Sequence, residues 1–198
     1  FNSLREVLPP WTIIQCLSGL HRLPDEKIAY EEKALMEVAA ELRFEPQRTV
    51  GGIAGLDSKI LGMLRKPWPG DNYWKFRPRG ACHDIFFHAK LERIPEFTAA
   101  LVKIATDYGY PAEDIGIYFQ PIERARMCFY QYGFHCNPDD AREVERIRQL
   151  YLAASERVLN MGGLFTTPYG PWADMVYRRA ATYTLSLIHI SEPTRQAE

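Results

Sequence analysis

The sequence predicts an α+β fold, an antiparallel sheet with helices on one face, and three observations predict it. Two runs, "ACHDIFFHA" and "RARMCFYQYGFH", alternate with period two, as strands with two unlike faces do. Two others, "IPEFTAALVKIATDYG" and "NPDDAREVERIRQLYLAASERVLNMGG", repeat apolar residues at three and four, as amphipathic helices do. The order over residues 81–167 is strand, helix, strand, strand, helix, strand, the ferredoxin-like split βαβ arrangement.

The elements follow along the chain. After the Pro9-Pro10 break, "WTIIQCLSGLH" (residues 11–21) is rich in β-branched and apolar residues and predicts a strand. Pro24-Asp25-Glu26 opens a helix that continues through "KIAYEEKALMEVAAEL". From Arg48 to Gly80 the periodicity gives way to Gly, Pro, Trp and Tyr, predicting a long irregular connection with one short helix. Segments of this kind serve as lids or binding loops. Beyond Ala81 come a strand, a helix ended by Gly109, and the strand "DIGIYFQPIE". A hairpin carrying Glu123, Arg124 and Arg126 follows, read as a solvated turn, and then the second alternating strand. The long helix is expected to start with Asn137 as N-cap and Pro138 in the first turn, and to close at Gly162. "LFTTPYG" predicts a last short strand, and Trp172, Met175, Val176 and Arg179 keep helical spacing in a stretch running to Thr184.

The helix then breaks, uncapped, into "LSLIHISEPTRQAE". Residues 185–198 resemble the in-frame translation of a transposase sequencing adapter and are expected to be adapter-derived. Fold and function are therefore sought in residues 1–184, which are expected to be a fragment at both ends.

Bulk properties exclude some partners. A formal net charge of -1 with no basic run gives no electrostatic reason to bind nucleic acid or an anionic membrane surface. No apolar stretch approaches the roughly 20 residues of a membrane span. Cys16, Cys82, Cys128 and Cys136 lack CxxC spacing, which predicts reduced thiols and a cytoplasmic setting. Cys128, Cys136 and His135 fit no ordinary zinc pattern, so no metal is expected.

Alternation also sorts the candidate site residues. His83, Ile85 and Phe87 share one face of their strand; Asp84, Phe86 and His88 share the other. In the second strand Cys128, Tyr130, Tyr132 and Phe134 oppose Met127, Phe129, Gln131 and His135. One sheet face is thus core under helices, while the other mixes aromatic and polar groups and calls for a cover or a flat ligand. His83 and His88 are candidates for a proton-accepting role, but on opposite faces at most one can serve. Tyr118 and Gln120, two apart, can orient a polar substrate group. Tyr169, held in a Pro-Tyr-Gly turn beside Thr167 and Trp172, is a third candidate for contact with substrate. The sequence has no GxGxxG, Walker, GxSxG or HExxH motif.

The stretches "RGACHDIFFHAKL", "YGYPAEDIGIYFQPIERARMCFYQYGFHCNPDD" and "GGLFTTPYGPWADMVYRRAATYT", in this order and spacing, resemble the C-terminal cap domain of FAD-linked oxidases. The group is that of vanillyl-alcohol oxidase, para-cresol methylhydroxylase and the glycolate oxidase D-subunit. With "PPWTIIQCLSGL" included, the resemblance covers nearly all of residues 9–184. It implies a sheet lying over the flavin ring and a preceding FAD-binding domain outside this chain. It also implies hydride transfer to flavin from an alcohol, phenol or 2-hydroxy acid. His83 or His88 and Tyr169 would be catalytic, and Tyr118, Gln120, Thr167 and Trp172 would contact the substrate. A homodimer is compatible with this assignment.

The sequence also departs from the family. Where phenol-oxidising members carry Tyr-Arg and related sequences Ser-Arg, Thr166 and Thr167 stand here, so the anion-anchoring arginine is missing. The covalent flavin tyrosine of the methylhydroxylases falls near Ser18, with His21 a loose substitute, which favours non-covalent FAD. The His-x-Gly-Asp-Gly-Asn metal motif of the lactate and glycolate branch is absent. The alternatives are a stand-alone α+β module that binds a small metabolite without chemistry, and a domain whose aromatic face is a protein contact.

Overall fold

A computed structural model describes residues 11–19, 21–48, 55–66, 74–76 and 78–179. It divides into two compact units, residues 1–71 and 72–198. Among the described residues no helix is long and apolar enough to cross a membrane.

The first unit contains helix α1 (Pro24–Glu41) and helix α2 (Leu56–Arg65). Pro24 stands in the first turn of α1, where its missing N–H is no loss, and Asp25 and Glu26 complement the positive end of the helix dipole. The strand predicted over residues 11–21 does not form. Residues 11–19 have no sheet partner among the described residues, and Trp11, Ile13 and Ile14 are exposed. A strand satisfies its backbone only through a neighbour, so β-prone composition alone cannot make one.

The second unit runs β1 (Ala81–Ala89), α3 (Ile94–Asp107), β2 (Gly116–Ile122), β3 (Met127–Cys136), α4 (Ala141–Asn160) and α5 (Pro171–Arg179). The sheet order is β1-β3-β2, and both pairings are antiparallel. This is the strand order of a split βαβ unit, with β3 inserted between the two strands that α3 connects. Helices α3 and α4 bury one face. There Ile85, Phe87, Tyr130, Tyr132 and Phe134 meet Phe97, Leu101, Ile147, Leu150 and Val158, each at most 1% exposed. The tyrosines are admitted because their hydroxyls are engaged: Tyr130 donates to the Lys90 carbonyl at 2.6 Å, and Tyr132 shares a 2.9 Å hydrogen bond with Thr98.

Two boundaries differ from expectation. The N-cap of α4 is Asp140, whose Oδ1 accepts from the N–H groups of Arg142 and Glu143 at 2.9 and 3.2 Å. Asn137 instead closes the preceding turn, its Oδ1 accepting from Asp139 N–H at 3.1 Å. The predicted fourth strand is reduced to one antiparallel bridge, His88 with Leu164, because the chain then turns toward α5. The aromatic cluster at the outer edge of β1 holds it there. Trp172 of α5 is fully buried, its indole N–H donates to Ser155 Oγ at 2.8 Å, and its ring lies 4.6 Å from Phe165 and 4.9 Å from Phe86. The part of the predicted last helix beyond Arg179, and residues 185–198, lie outside the described residues.

Candidate functional site

The face of the sheet turned away from α3 and α4 carries the candidate site. Register fixes its layout: Tyr118 opposes Gln131, which opposes Phe86, and in the next rank Gln120 opposes Phe129, which opposes His88. The aromatic rings form a row across all three strands and past the edge of β1. Tyr118 lies 6.2 Å from Phe129, Phe129 lies 6.1 Å from Phe86 and nearly parallel to it, and Phe86 lies 6.2 Å from Tyr169. Phe86 and Phe129 are half-buried, whereas Tyr118 and Tyr169 are 46% and 56% exposed at the two ends of the row.

Polar groups border this platform. The Tyr118 hydroxyl donates to Gln120 Oε1 at 3.1 Å, so that of the exposed Gln120 amide it is the oxygen that this contact engages. The His88 ring stands edge-on to Phe129 at 5.7 Å and also lines a cavity of about 390 Å³ with Ala89, Lys90, Arg93, Met127 and Leu164. Arg93 is held by its neighbours. It makes two 2.8 Å hydrogen bonds to Glu96, donates to the Met161 carbonyl at 2.7 Å and lies over the Phe97 ring. A ligand on the platform therefore meets aromatic rings, amides and phenols rather than a fixed cation.

The other end of the same face is covered. Lys75 pairs with Asp84 at 2.9 Å, both side chains being 20% exposed or less. Cys82 lies against Asp84 at 3.6 Å; burial first and the Asp84 carboxylate second push its thiol up to about 12, so it stays protonated. Asp84 and Cys82 lie over Gly133, where a Cβ would come within 2.8 Å of Asp84 Oδ1 and 3.2 Å of Cys82 Sγ. His135, across from Cys82, keeps a buried Nδ1 without a hydrogen-bond partner, and burial lowers its pKa. Cys128 and Cys136 point into the helix-covered core, so they do not converge with His135.

The predicted site residues divide accordingly. Tyr118, Gln120, His88 and Tyr169 surround one platform. His83 belongs to the helix-covered face, at its exposed end, edge-on to Tyr151 at 6.4 Å. Trp172 is an interior anchor with its N–H engaged by Ser155, so its part at the platform is to hold Phe86 and Tyr169 rather than to touch a ligand. Thr167 is exposed in the loop before Tyr169. Ser18 and His21 are exposed in the first unit, where the Ser18 carbonyl accepts from Lys27 Nζ at 2.7 Å. Sequence reasoning missed three residues. Phe86 and Phe129 form the floor, and period-two alternation already placed both on this face. Tyr151, one turn before Ser155 on α4, stacks on Trp172 at 5.6 Å and 11°, and only the fold brings it to the edge of β1.

A flat, uncharged ring system fits the row of Phe86 and Phe129. The sequence of this unit carries no glycine-rich phosphate loop. No family model, no curated protein and no solved structure matches this chain.

Proposed function

We propose that residues 72–179 are the substrate-side part of an FAD-dependent oxidoreductase, with the substrate lying between the open sheet face and a flavin ring held mainly by another domain. The supporting observation is the platform itself, two half-buried phenylalanines bordered by Tyr118, Gln120, His88 and Tyr169 on the sheet face turned away from α3 and α4. A bound flavin supplies the hydride acceptor for oxidation of an alcohol, phenol or 2-hydroxy acid. Phe86 and Phe129 exclude water beneath the substrate, while the Tyr169 hydroxyl at one end of the row orients the reacting oxygen and the Gln120 amide at the other end holds a second polar group. His88, reaching both the platform and the neighbouring cavity, accepts the hydroxyl proton. Neither Ser18 nor His21 is needed for this chemistry, in keeping with non-covalent FAD.

The test begins with the source locus, sequenced across both ends of this chain without transposase-based preparation. An FAD-binding domain upstream of Phe1 in the same frame, and a whole product whose flavin bleaches anaerobically with an alcohol or 2-hydroxy acid, support the proposal. A start codon just before Phe1 with no flavin domain overturns it and leaves a ligand-binding module. In the whole enzyme, Tyr169→Phe is expected to slow flavin reduction.

A further inference from the structure

Gln131 stands at the centre of the open sheet face. On β3 it opposes Phe86 of β1 on one side and Tyr118 of β2 on the other, and it is half-buried. Among the described residues no hydrogen bond engages its side-chain amide, because both neighbours turn toward Phe129. Tyr118 donates to Gln120 at 3.1 Å and lies 6.2 Å from Phe129, and Phe86 lies 6.1 Å from the same ring. On the other side of Gln131 the next cross-strand pair is Gly133 with Gly116, and Gly116 is exposed. The space over Gly133 is taken, since a Cβ there would come within 2.8 Å of Asp84 Oδ1 and 3.2 Å of Cys82 Sγ. The space over Gly116 is open: among the described residues a Cβ there would meet nothing nearer than the Gly133 carbonyl oxygen at 3.7 Å and His135 Nε2 at 3.8 Å. No positive φ calls for glycine at this position. A glycine inside a strand weakens it and often marks the close approach of a ligand or another backbone. Diagonal neighbours across an antiparallel pair stand about 7–8 Å apart, within reach of a long side chain, so Gln131 borders this notch.

We propose that the notch over Gly116 is a subsite of the platform for a neutral carboxamide-type group, an amide, lactam or urea edge, held by Gln131 and Asp84. Asp84 Oδ2 pairs with Lys75 at 2.9 Å, while Oδ1, above Gly133, has the Cys82 thiol at 3.6 Å, a weak donor that leaves it able to accept more. That oxygen accepts an N–H of the ligand, and the Gln131 amide donates to the ligand carbonyl. The same carboxylate repels an anionic group, and Lys75 already neutralises it against a cationic one. His135 closes the far side of the notch as a neutral ring, because burial lowers its pKa. The half-buried Gln131 amide has lost part of its water without gaining a partner, and a matching ligand group restores those bonds.

This assignment rests on the open face being the ligand face, and the experiment separates the two. The full chain, labelled for NMR, is titrated with benzamide, acetophenone, benzoate and ethylbenzene, which share one ring and differ in the group it carries. The Gln131 side-chain N–H signals are assigned by Gln131→Leu and the Phe129 ring signals by Phe129→Leu. Benzamide is expected to move the Gln131 signals and to bind about tenfold more tightly than ethylbenzene, as two neutral hydrogen bonds allow, with acetophenone between them and benzoate weakest. Gln131→Leu is expected to remove the advantage of benzamide over ethylbenzene. Gly116→Val, which fills the notch with a strand-favouring residue, is expected to do the same. Equal affinities for benzamide and ethylbenzene, with the Phe129 signals moving and those of Gln131 still, overturn the subsite and leave the platform standing. An advantage of benzamide that survives Gly116→Val also overturns the subsite, because the amide is then held elsewhere. No movement of the Phe129 signals with any of the compounds overturns the subsite and the platform together.

Discussion

The hairpin between β2 and β3 shows how single residues limit this fold. Glu123, Arg124 and Ala125 follow one another with φ of 50°, 56° and 63°. The left-handed region costs an L-residue with a side chain about 1–2 kcal/mol, because Cβ crowds the next carbonyl. Three in succession are tolerated because the register of β2 and β3 is fixed on both sides of the turn, from Ile122 with Met127 onward. Glycine relieves that crowding but loses more freedom on folding, which recovers part of the gain for the unfolded chain. Ala125→Gly is accordingly expected to raise stability by about 0.5–1 kcal/mol, read as a higher urea midpoint at unchanged slope. A lower midpoint would mean that the turn is held by contacts of the Ala125 side chain.

At the scale of elements, α4 depends on its first turn as much as on its buried stripe. Asp140 satisfies two N–H groups that have no partner inside the helix, and its charge favours the positive end of the dipole. Asp140→Ala is expected to cost about 1 kcal/mol, whereas Asn137→Ala, outside the helix, should cost less. Comparing the two unfolding midpoints checks this assignment. The misplaced cap shows where the sequence stops being legible: "NPDD" holds three residues able to cap, and only the packed position of Ile147 and Leu150 selects which one starts the helix. The alternating strands were legible because their two faces meet different surroundings. The strand expected over residues 11–21 and the one expected at "LFTTPYG" were not, since pairing depends on a partner that local composition does not describe. The site was legible on the same terms. Tyr118, Gln120 and His88 follow from alternation, while Tyr151 reaches the β1 edge only through the crossing of α4 over the sheet.

For the whole molecule, buried protonated groups set the pH range. Burial pushes the Cys82 thiol and the Tyr130 phenol up to about 12, from ordinary values of 9.0 and 10.0, and it raises Tyr110, Tyr132, Tyr151, Cys128 and Cys136 as well. The unfolded chain gives up these protons first, so this contribution to stability is intact below about pH 9 and declines as pH rises toward about 12. The lowered His135 works in the opposite direction: below about pH 6.5 the unfolded chain takes a proton that the folded site resists, and stability falls with pH. Urea midpoints across the pH range should therefore fall off on both sides of neutrality. The two units differ in how much they bury. Among the described residues of 72–198 a continuous core runs from Ile85 to Trp172, whereas in the first unit Ala39 is the only buried residue among those described, and Tyr30, Met36, Val38 and Leu42 are at least 50% exposed. Exchange of a backbone amide requires opening, and opening is costliest where the most apolar contact must be broken. The amides of Tyr130 and Tyr132 in β3, central in the sheet and fully buried, are expected to exchange slowest, and those of α1 faster by several orders of magnitude. Equal protection of α1 and β3 in a hydrogen-exchange time course would show that α1 is covered in solution by a surface that the described residues do not contain.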